Sequence, residues 1–255
     1  DDRQTIKRNG KGGARLRPSH FLEEETEMLN MEEWMALYQE TMLRCFGERV
    51  RFIGLQGSRA RGEASENSDI DVVLLLDRLA PEDLEKYRRA AAGLPRRELL
   101  CGFVSGVSEL KNWERGELFQ FYYDTTPVLG RLEEVITPPG REDAARAVLA
   151  GSCAIYHLCV HNGLHGRELP VLYGAAKSVR CVLQAEYFLA DGVFLRRREE
   201  LEARLSPEET RVWKAVTGRE EDLDDITALL LHWSGRLIRT CGTWGSGEPH
   251  ISESR

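Results

Sequence analysis

Apolar and polar positions in the first half of the chain follow two different periods, and this predicts strands interrupted by helices. The segment EEWMALYQETMLRCFG, from Glu32 to Gly47, has apolar residues at helical spacing, acidic residues in its first turn and a terminal glycine. APEDLEKYRRAAAG is a second predicted helix, because Pro81 suits a first helical position. The predicted strands are RVRFIGLQG, DIDVVLLLD, ELLCGFVSG and LFQFYYDTTPVLG. Together these elements predict a mixed sheet with helices packed on it.

From Arg141 onward every apolar pattern has a helical period, so the second half is predicted to be an all-α helical bundle. The predicted helices cover residues 142–164, 168–191, 196–204, 206–217 and 221–241. The expected division is a flexible arm at 1–25, a sheet-containing domain at 26–138, the bundle at 139–242 and a tail at 243–255. The predicted fold class is therefore α+β.

Composition narrows the class of protein without identifying it. The chain has 255 residues, of which 42% are hydrophobic and 30% charged, as in ordinary globular proteins. Its formal charge of −7 argues against a surface that binds nucleic acid throughout, so nucleic acid is not an expected partner. Because no apolar run approaches the roughly 20 residues of a membrane span, we predict a cytoplasmic protein with no membrane partner.

One short stretch, GSRARGEASENSDIDVVLLL, carries the candidate chemistry. Gly57 and Ser58 end one predicted strand, and Asp69 and Asp71 begin the next. Strand alternation places the two aspartates on one face, where two carboxylates are costly unless a cation offsets them. A divalent cation held there could bridge phosphate oxygens, while the Gly-Ser turn presents N–H groups and a hydroxyl to a triphosphate. The stretch therefore predicts a metal-dependent nucleotide site.

The Gly-Ser turn, the eleven-residue step from Ser58 to Asp69 and the Asp-x-Asp motif resemble the DNA polymerase β-like nucleotidyltransferase superfamily. The resemblance implies that Asp69 and Asp71 ligate two Mg²⁺ ions, and that Gly57 and Ser58 hold the β and γ phosphates of an NTP. An acceptor hydroxyl then attacks the α phosphate and releases pyrophosphate. The resemblance also implies a third catalytic carboxylate on a later strand. We assign it to Glu98, with Asp124 as the other candidate.

The helical half resembles, in layout, the C-terminal domain of bacterial aminoglycoside adenylyltransferases, through the stretch AAKSVRCVLQAEYFLADGVFLRRREE. This resemblance implies that a cation such as Lys177, Arg180 or Arg197 reaches the triphosphate from the second domain. Arg61 is the expected nucleotide-binding cation of the first domain. The active site would then be a cleft between the two domains.

These expectations combine into a nucleotidyltransferase that moves AMP from ATP to a hydroxyl of a small molecule. An aminoglycoside-type antibiotic is the leading acceptor, which implies a role in antibiotic resistance. One alternative is an antitoxin-like enzyme that modifies a protein, and another is a degenerate nucleotide-binding module without catalysis. His157, His161 and His165 recur every four residues, and we interpret them as packing or helix-end histidines rather than zinc ligands. The sequence does not specify an oligomeric state.

Overall fold

A computed structural model describes residues 29–218 and 222–241. The arm predicted at 1–25 and the tail predicted at 243–255 lie outside the described residues. Within this part of the chain there is one mixed sheet with the strand order β3-β2-β1-β4. Its strands are β1 (Val50–Gln56), β2 (Ile70–Leu76), β3 (Leu100–Gly106) and β4 (Thr126–Leu129). Strand β1 pairs antiparallel with β2 and β4, whereas β2 and β3 are parallel, so the prediction of a mixed sheet is confirmed.

The central strand β2 is buried on both faces, as its continuous apolar run predicts. Val72 and Leu74 contribute to a core cluster shared with α1 (Met31–Phe46), and Val73 and Leu75 contribute to a second cluster on the opposite face. Such burial leaves the ends of the strand as the positions where polar side chains can reach solvent.

The helices of the sheet-containing half lie on both faces of the sheet. After α1 come α2 (Gly57–Arg61), α3 (Pro81–Ala91), α4 (Val107–Lys111) and α5 (Arg115–Asp124). The predicted helices α1 and α3 are confirmed, and the short helices α2 and α4 were not predicted. Turns of 3₁₀ helix precede β1 and β3 and follow β4, at Gly47–Arg49, Arg97–Leu99 and Leu132–Glu134.

The strand predicted over LFQFYYDTTPVLG is wrong for most of its length, because residues 115–124 form helix α5 and only residues 126–129 form β4. The helix is apolar on two sides. Leu118 belongs to the cluster beneath the sheet, and Phe119 is buried in the core of the helical half, where its ring lies 5.0 Å from that of Phe188. Because both sides are apolar, the helical period is hidden in the sequence.

The second half is helical throughout its described residues, as predicted. Its helices are α6 (Arg141–His161), α7 (Leu169–Gly174), α8 (Ala176–Asp191), α9 (Arg198–Glu202), α10 (Pro207–Thr217) and α11 (Leu223–Cys241). A π-helical turn at Asn162–Gly166 follows α6. The helix predicted at 168–191 is interrupted at Ala175, which separates α7 from α8. The fold is therefore α+β.

One stretch of the described residues, Arg141–Gly166, is long and apolar enough to cross a membrane by length and composition, with a mean hydropathy of 1.2. Helix α6 within this stretch packs against α5, α8 and α11. Core helices pass the same test of length and composition, so the stretch alone is weak evidence of a membrane span.

Candidate active site

The Gly-Ser turn and the two aspartates meet at the junction of β1, β2 and α2. Gln56 at the end of β1 pairs with Asp71 at the start of β2, which places Gly57 directly beside the Asp71 side chain. Gly57 has a φ of +71°, and a Cβ atom built on it would lie 2.0 Å from Oδ2 of Asp71. Only glycine satisfies both constraints. The turn and the aspartate pair therefore form one continuous feature.

Asp69 is exposed and Asp71 is half-buried. Burial raises the pKa of Asp71; Lys177 opposes this rise, while the negative charges of Asp69 and Asp124 add to it. Among the described residues, neither aspartate carboxylate accepts a hydrogen bond or forms an ion pair within 4.0 Å. Two carboxylates without a protein cation of their own fit a hard divalent cation.

The described residues contain no group of three or more His, Cys, Asp or Glu side chains arranged to hold a metal. The aspartate pair can therefore supply only part of a coordination shell. Mg²⁺ usually keeps several waters and binds through one or two carboxylates together with substrate phosphates. The donor set of Asp69 and Asp71 fits that pattern.

A cavity of about 950 Å³ opens in front of this pair. The sheet-containing half contributes Ser58 and the two aspartates, and the helical half contributes Lys177 and Arg198. A smaller cavity of about 440 Å³ lies beside α1, and no aspartate lines it. The larger cavity is therefore the candidate active site, and it lies between the two halves of the chain.

Glu63 connects the two halves at the edge of this cavity. Its carboxylate accepts hydrogen bonds from Nε of Arg61 at 2.9 Å, from Nη1 and Nη2 of Arg180 at 2.8 and 3.0 Å, and from the backbone N–H of Arg198. Burial alone would raise the pKa of Glu63, but the hydrogen bonds from Arg180 and Arg61 hold it at about 2. The carboxylate is thus ionised and anchors α8 and the start of α9 to the first half.

The two cations assigned to the nucleotide differ in their surroundings. The Arg61 guanidinium donates from Nη1 to both oxygens of Asp124 at 2.8 Å and is 14% exposed, so two carboxylates already match its charge. Lys177 is exposed, lines the cavity and has no ion pair among the described residues. Its charge acts on Asp71 across the cavity. Nucleotide binding by either residue stays a prediction.

The structure separates Glu98 from the cavity. Glu98 lies in the turn before β3, is exposed, and accepts a hydrogen bond from Nε of Arg96 at 2.9 Å. The strand begins two residues later, and its parallel register places Cys101 beside Asp71. No acidic residue lies within β3. The structure therefore gives no support to the assignment of Glu98 as the third carboxylate.

Asp124, the alternative candidate, does line the cavity. It stands at the end of α5, and its Oδ2 accepts a hydrogen bond from the Gly57 N–H at 3.2 Å in addition to those from Arg61. Arg196 donates to its backbone carbonyl at 2.7 Å. Asp124 is thus brought together with the Gly-Ser turn, but its carboxylate is engaged by Arg61.

Several cavity residues were missed by sequence reasoning. Trp113, Glu117 and Phe121 line the cavity from α5 and from the connection before it. A helical interpretation of residues 115–124 would have placed Glu117 and Phe121 on one face, four residues apart. In the helical half Arg198 lines the cavity, whereas Arg197 does not.

The three histidines lie outside the candidate site. His157, His161 and His165 are exposed and line no part of the cavity. Their ring centroids are 6.1 Å apart between the first two and 4.9 Å apart between the last two. They are not packed in the core, contrary to one of the two predicted interpretations.

Comparisons with known proteins indicate the type of domain and the fold. A family model described as a nucleotidyltransferase domain matches residues 40–138. Among solved structures, spectinomycin adenyltransferase AAD(9) from Enterococcus faecialis, with ATP and spectinomycin, is 13% identical. The match covers 81% of this chain and 98% of that chain, with a TM-score of 0.52. At this identity the match shows a shared fold. No curated protein matches the chain.

Two further solved structures are similar at lower TM-scores. A nucleotidyltransferase-like protein from Exiguobacterium sibiricum 255-15 is 11% identical; the match covers 83% of this chain and 77% of that chain, with a TM-score of 0.36. A toxin-antitoxin structure with AMP-PNP is 21% identical; the match covers 42% of this chain and 77% of that chain, with a TM-score of 0.29.

Proposed function

We propose that the enzyme transfers AMP from ATP to a hydroxyl group of a small molecule, because a nucleotidyltransferase domain model matches residues 40–138 and the motif around Asp69 and Asp71 resembles the DNA polymerase β-like superfamily. The observation that carries the proposal is the junction of the Gly57-Ser58 turn with Asp69 and Asp71, at a cavity that also contains Lys177. This arrangement supports binding of a triphosphate between two carboxylates and a cation.

Asp69 and Asp71 would hold Mg²⁺, which when bound neutralises charge on the phosphate oxygens. Ser58 and the N–H groups of its turn would donate hydrogen bonds to the β and γ phosphates. Lys177 adds a positive charge from the helical half. Because Glu63 anchors α8 to the first half, this cation stays in front of the aspartates.

In the proposed step, an oxygen of the acceptor forms a bond to the α phosphorus. The bond from that phosphorus to the bridging oxygen breaks, and pyrophosphate leaves with the bonding electron pair. The acceptor hydroxyl gives up its proton to a carboxylate of the cavity. Such a displacement depends mainly on positioning and on charge neutralisation, both of which the cavity residues supply.

For the acceptor we propose an aminoglycoside-type antibiotic, so that the reaction would inactivate the drug in the cytoplasm. The structurally similar AAD(9) binds ATP and spectinomycin, and the match extends over most of both chains. A formal charge of −7 favours encounter with a cationic acceptor.

The test is to incubate the enzyme with Mg²⁺, each NTP and a panel of aminoglycosides, spectinomycin and lincosamides, and to measure pyrophosphate. We expect release that depends on ATP and on one acceptor class, and that falls at least a hundredfold in Asp69→Asn and Asp71→Asn. Asp191→Asn, an exposed aspartate outside the cavity, is the matched control and should retain full activity. Pyrophosphate release by Asp71→Asn at the wild-type rate would contradict the proposal. So would the absence of pyrophosphate release by the wild type with every acceptor.

A further inference from the structure

One wall of the cavity is aromatic and contains a single carboxylate. Phe103 of β3 lies 5.5 Å from Trp113 in an edge-to-face arrangement and 5.0 Å from Phe121, as measured between ring centroids. Glu117 of α5 is the charged residue of this wall, and its Oε2 accepts a hydrogen bond from Nε1 of Trp113 at 2.6 Å. An oriented carboxylate therefore borders an apolar surface.

The sheet order places Phe103, the β3 residue of this wall, on the side of β2 away from the Gly-Ser turn. Strand β1 leads into Gly57, β2 carries Asp71, and β3 carries Phe103 on the far side of β2. In-line displacement requires the attacking oxygen and the leaving pyrophosphate to lie on opposite sides of the α phosphorus. With pyrophosphate at the Gly-Ser turn, the attacking hydroxyl approaches from the aromatic wall.

The acceptor's proton needs a carboxylate on that side. The acidic side chains that line the cavity are Asp69, Asp71, Glu117 and Asp124. The proposed function assigns the first two to the cation, and Asp124 is engaged by Arg61 and Gly57. Glu117 has only the Trp113 hydrogen bond among the described residues, which leaves its Oε1 available. Strand β3 offers Cys101 rather than an acid beside Asp71.

We infer that Glu117 is the catalytic base and that Phe103, Trp113 and Phe121 form the platform on which the acceptor lies. This inference rests on the proposed function. The acceptor oxygen uses a lone pair to bond to the α phosphorus, its O–H bond breaks, and the proton passes to the Glu117 carboxylate while pyrophosphate leaves. Trp113 fixes the orientation of that carboxylate.

The experiment measures kcat and both KM values for ATP and for the best acceptor of the panel above, in the full chain. Glu117→Gln keeps the shape and removes the base, so kcat should fall about a hundredfold while the KM for ATP stays within about twofold. Glu117→Asp should recover part of kcat. Trp113→Phe keeps a ring but loses the hydrogen bond, and it should lower kcat about tenfold. Glu134→Gln, an exposed glutamate outside the cavity, is the matched control.

A Glu117→Gln enzyme with the wild-type kcat would overturn the inference while leaving the proposed function intact. A loss of kcat that comes with an equal rise in the KM for ATP and a lower melting temperature would indicate a structural role and would also overturn it. Absence of turnover by the wild type with every acceptor would contradict the proposed function, and the inference would fall with it.

Discussion

Substitution of Gly57 by alanine tests the geometry of the site most severely, because one added methyl group would meet the Asp71 carboxylate. The new Cβ would lie 2.0 Å from Oδ2 and 2.9 Å from Cγ of Asp71, whereas ordinary contacts begin at 3.4 Å. The carboxylate or the turn must therefore move by more than about 1 Å. Misplacement on this scale costs about a hundredfold in rate when the group acts on the reacting centre.

The substitution also carries a backbone penalty. Gly57 has a φ of +71°, and a left-handed conformation costs a residue with a side chain about 1–2 kcal/mol. We therefore expect Gly57→Ala to lower the free energy of unfolding by about 1–2 kcal/mol and kcat by about a hundredfold. Urea unfolding and steady-state pyrophosphate release measure the two effects separately.

Gly62 provides the matched control, because it separates backbone strain from the clash. Its φ is +72°, and a Cβ built on it has no heavy atom within 4 Å. Gly62→Ala should lose a similar amount of stability and keep its kcat. The reasoning would be refuted if Gly57→Ala kept kcat within about twofold, or if both variants lost activity equally.

Two further predictions concern the helical half and its attachment. Lys177→Met should raise the KM for ATP about tenfold or more, because it removes the cation that is proposed to face the phosphates. Lys214→Met, at an exposed position outside the cavity, should not raise it. Equal KM values would contradict the proposed role of Lys177. Glu63→Gln should lower the free energy of unfolding by about 2 kcal/mol near neutral pH. Since the pKa of Glu63 is held at about 2 rather than 4.5, this stabilisation is complete above pH 4.5 and is lost as the pH falls towards 2. The wild-type and Glu63→Gln urea curves should therefore converge on acidification, and a constant gap would contradict the assignment.

Much of the fold follows from local patterns. Strand β2 is apolar without interruption because both of its faces are buried, and α1 shows its helical period because only one face is. Helix α5 was missed for a related reason. It packs against the sheet on one side and against the helical core on the other, so its apolar residues show no single period.

The candidate site also has one part that local sequence patterns predict and another part that they do not. Gly57, Ser58, Asp69 and Asp71 lie close in sequence: strand alternation predicts that the two aspartates share a face, and the Gly-Ser turn ends the preceding strand. The assignment of Glu98 failed because it depended on the register between β2 and β3, which places Cys101 rather than Glu98 beside Asp71.

The contact between Glu63 and Arg180 spans 117 residues of sequence, and nothing in the spacing of either residue indicates it. Likewise, the approach of Glu117 to the cavity depends on how α5 packs. Long-range packing therefore determines the part of the site that sequence reasoning could not predict.

The proposed function requires that this cavity direct attack at the α phosphorus of a triphosphate. The most direct measurement follows radiolabel from ATP, in parallel reactions labelled at the α or at the γ phosphorus, with Mg²⁺ and the active acceptor. We expect the α label to appear on the acceptor and the γ label to appear in pyrophosphate. Transfer of the γ label to the acceptor, or release of both labels without any labelled acceptor, would contradict it.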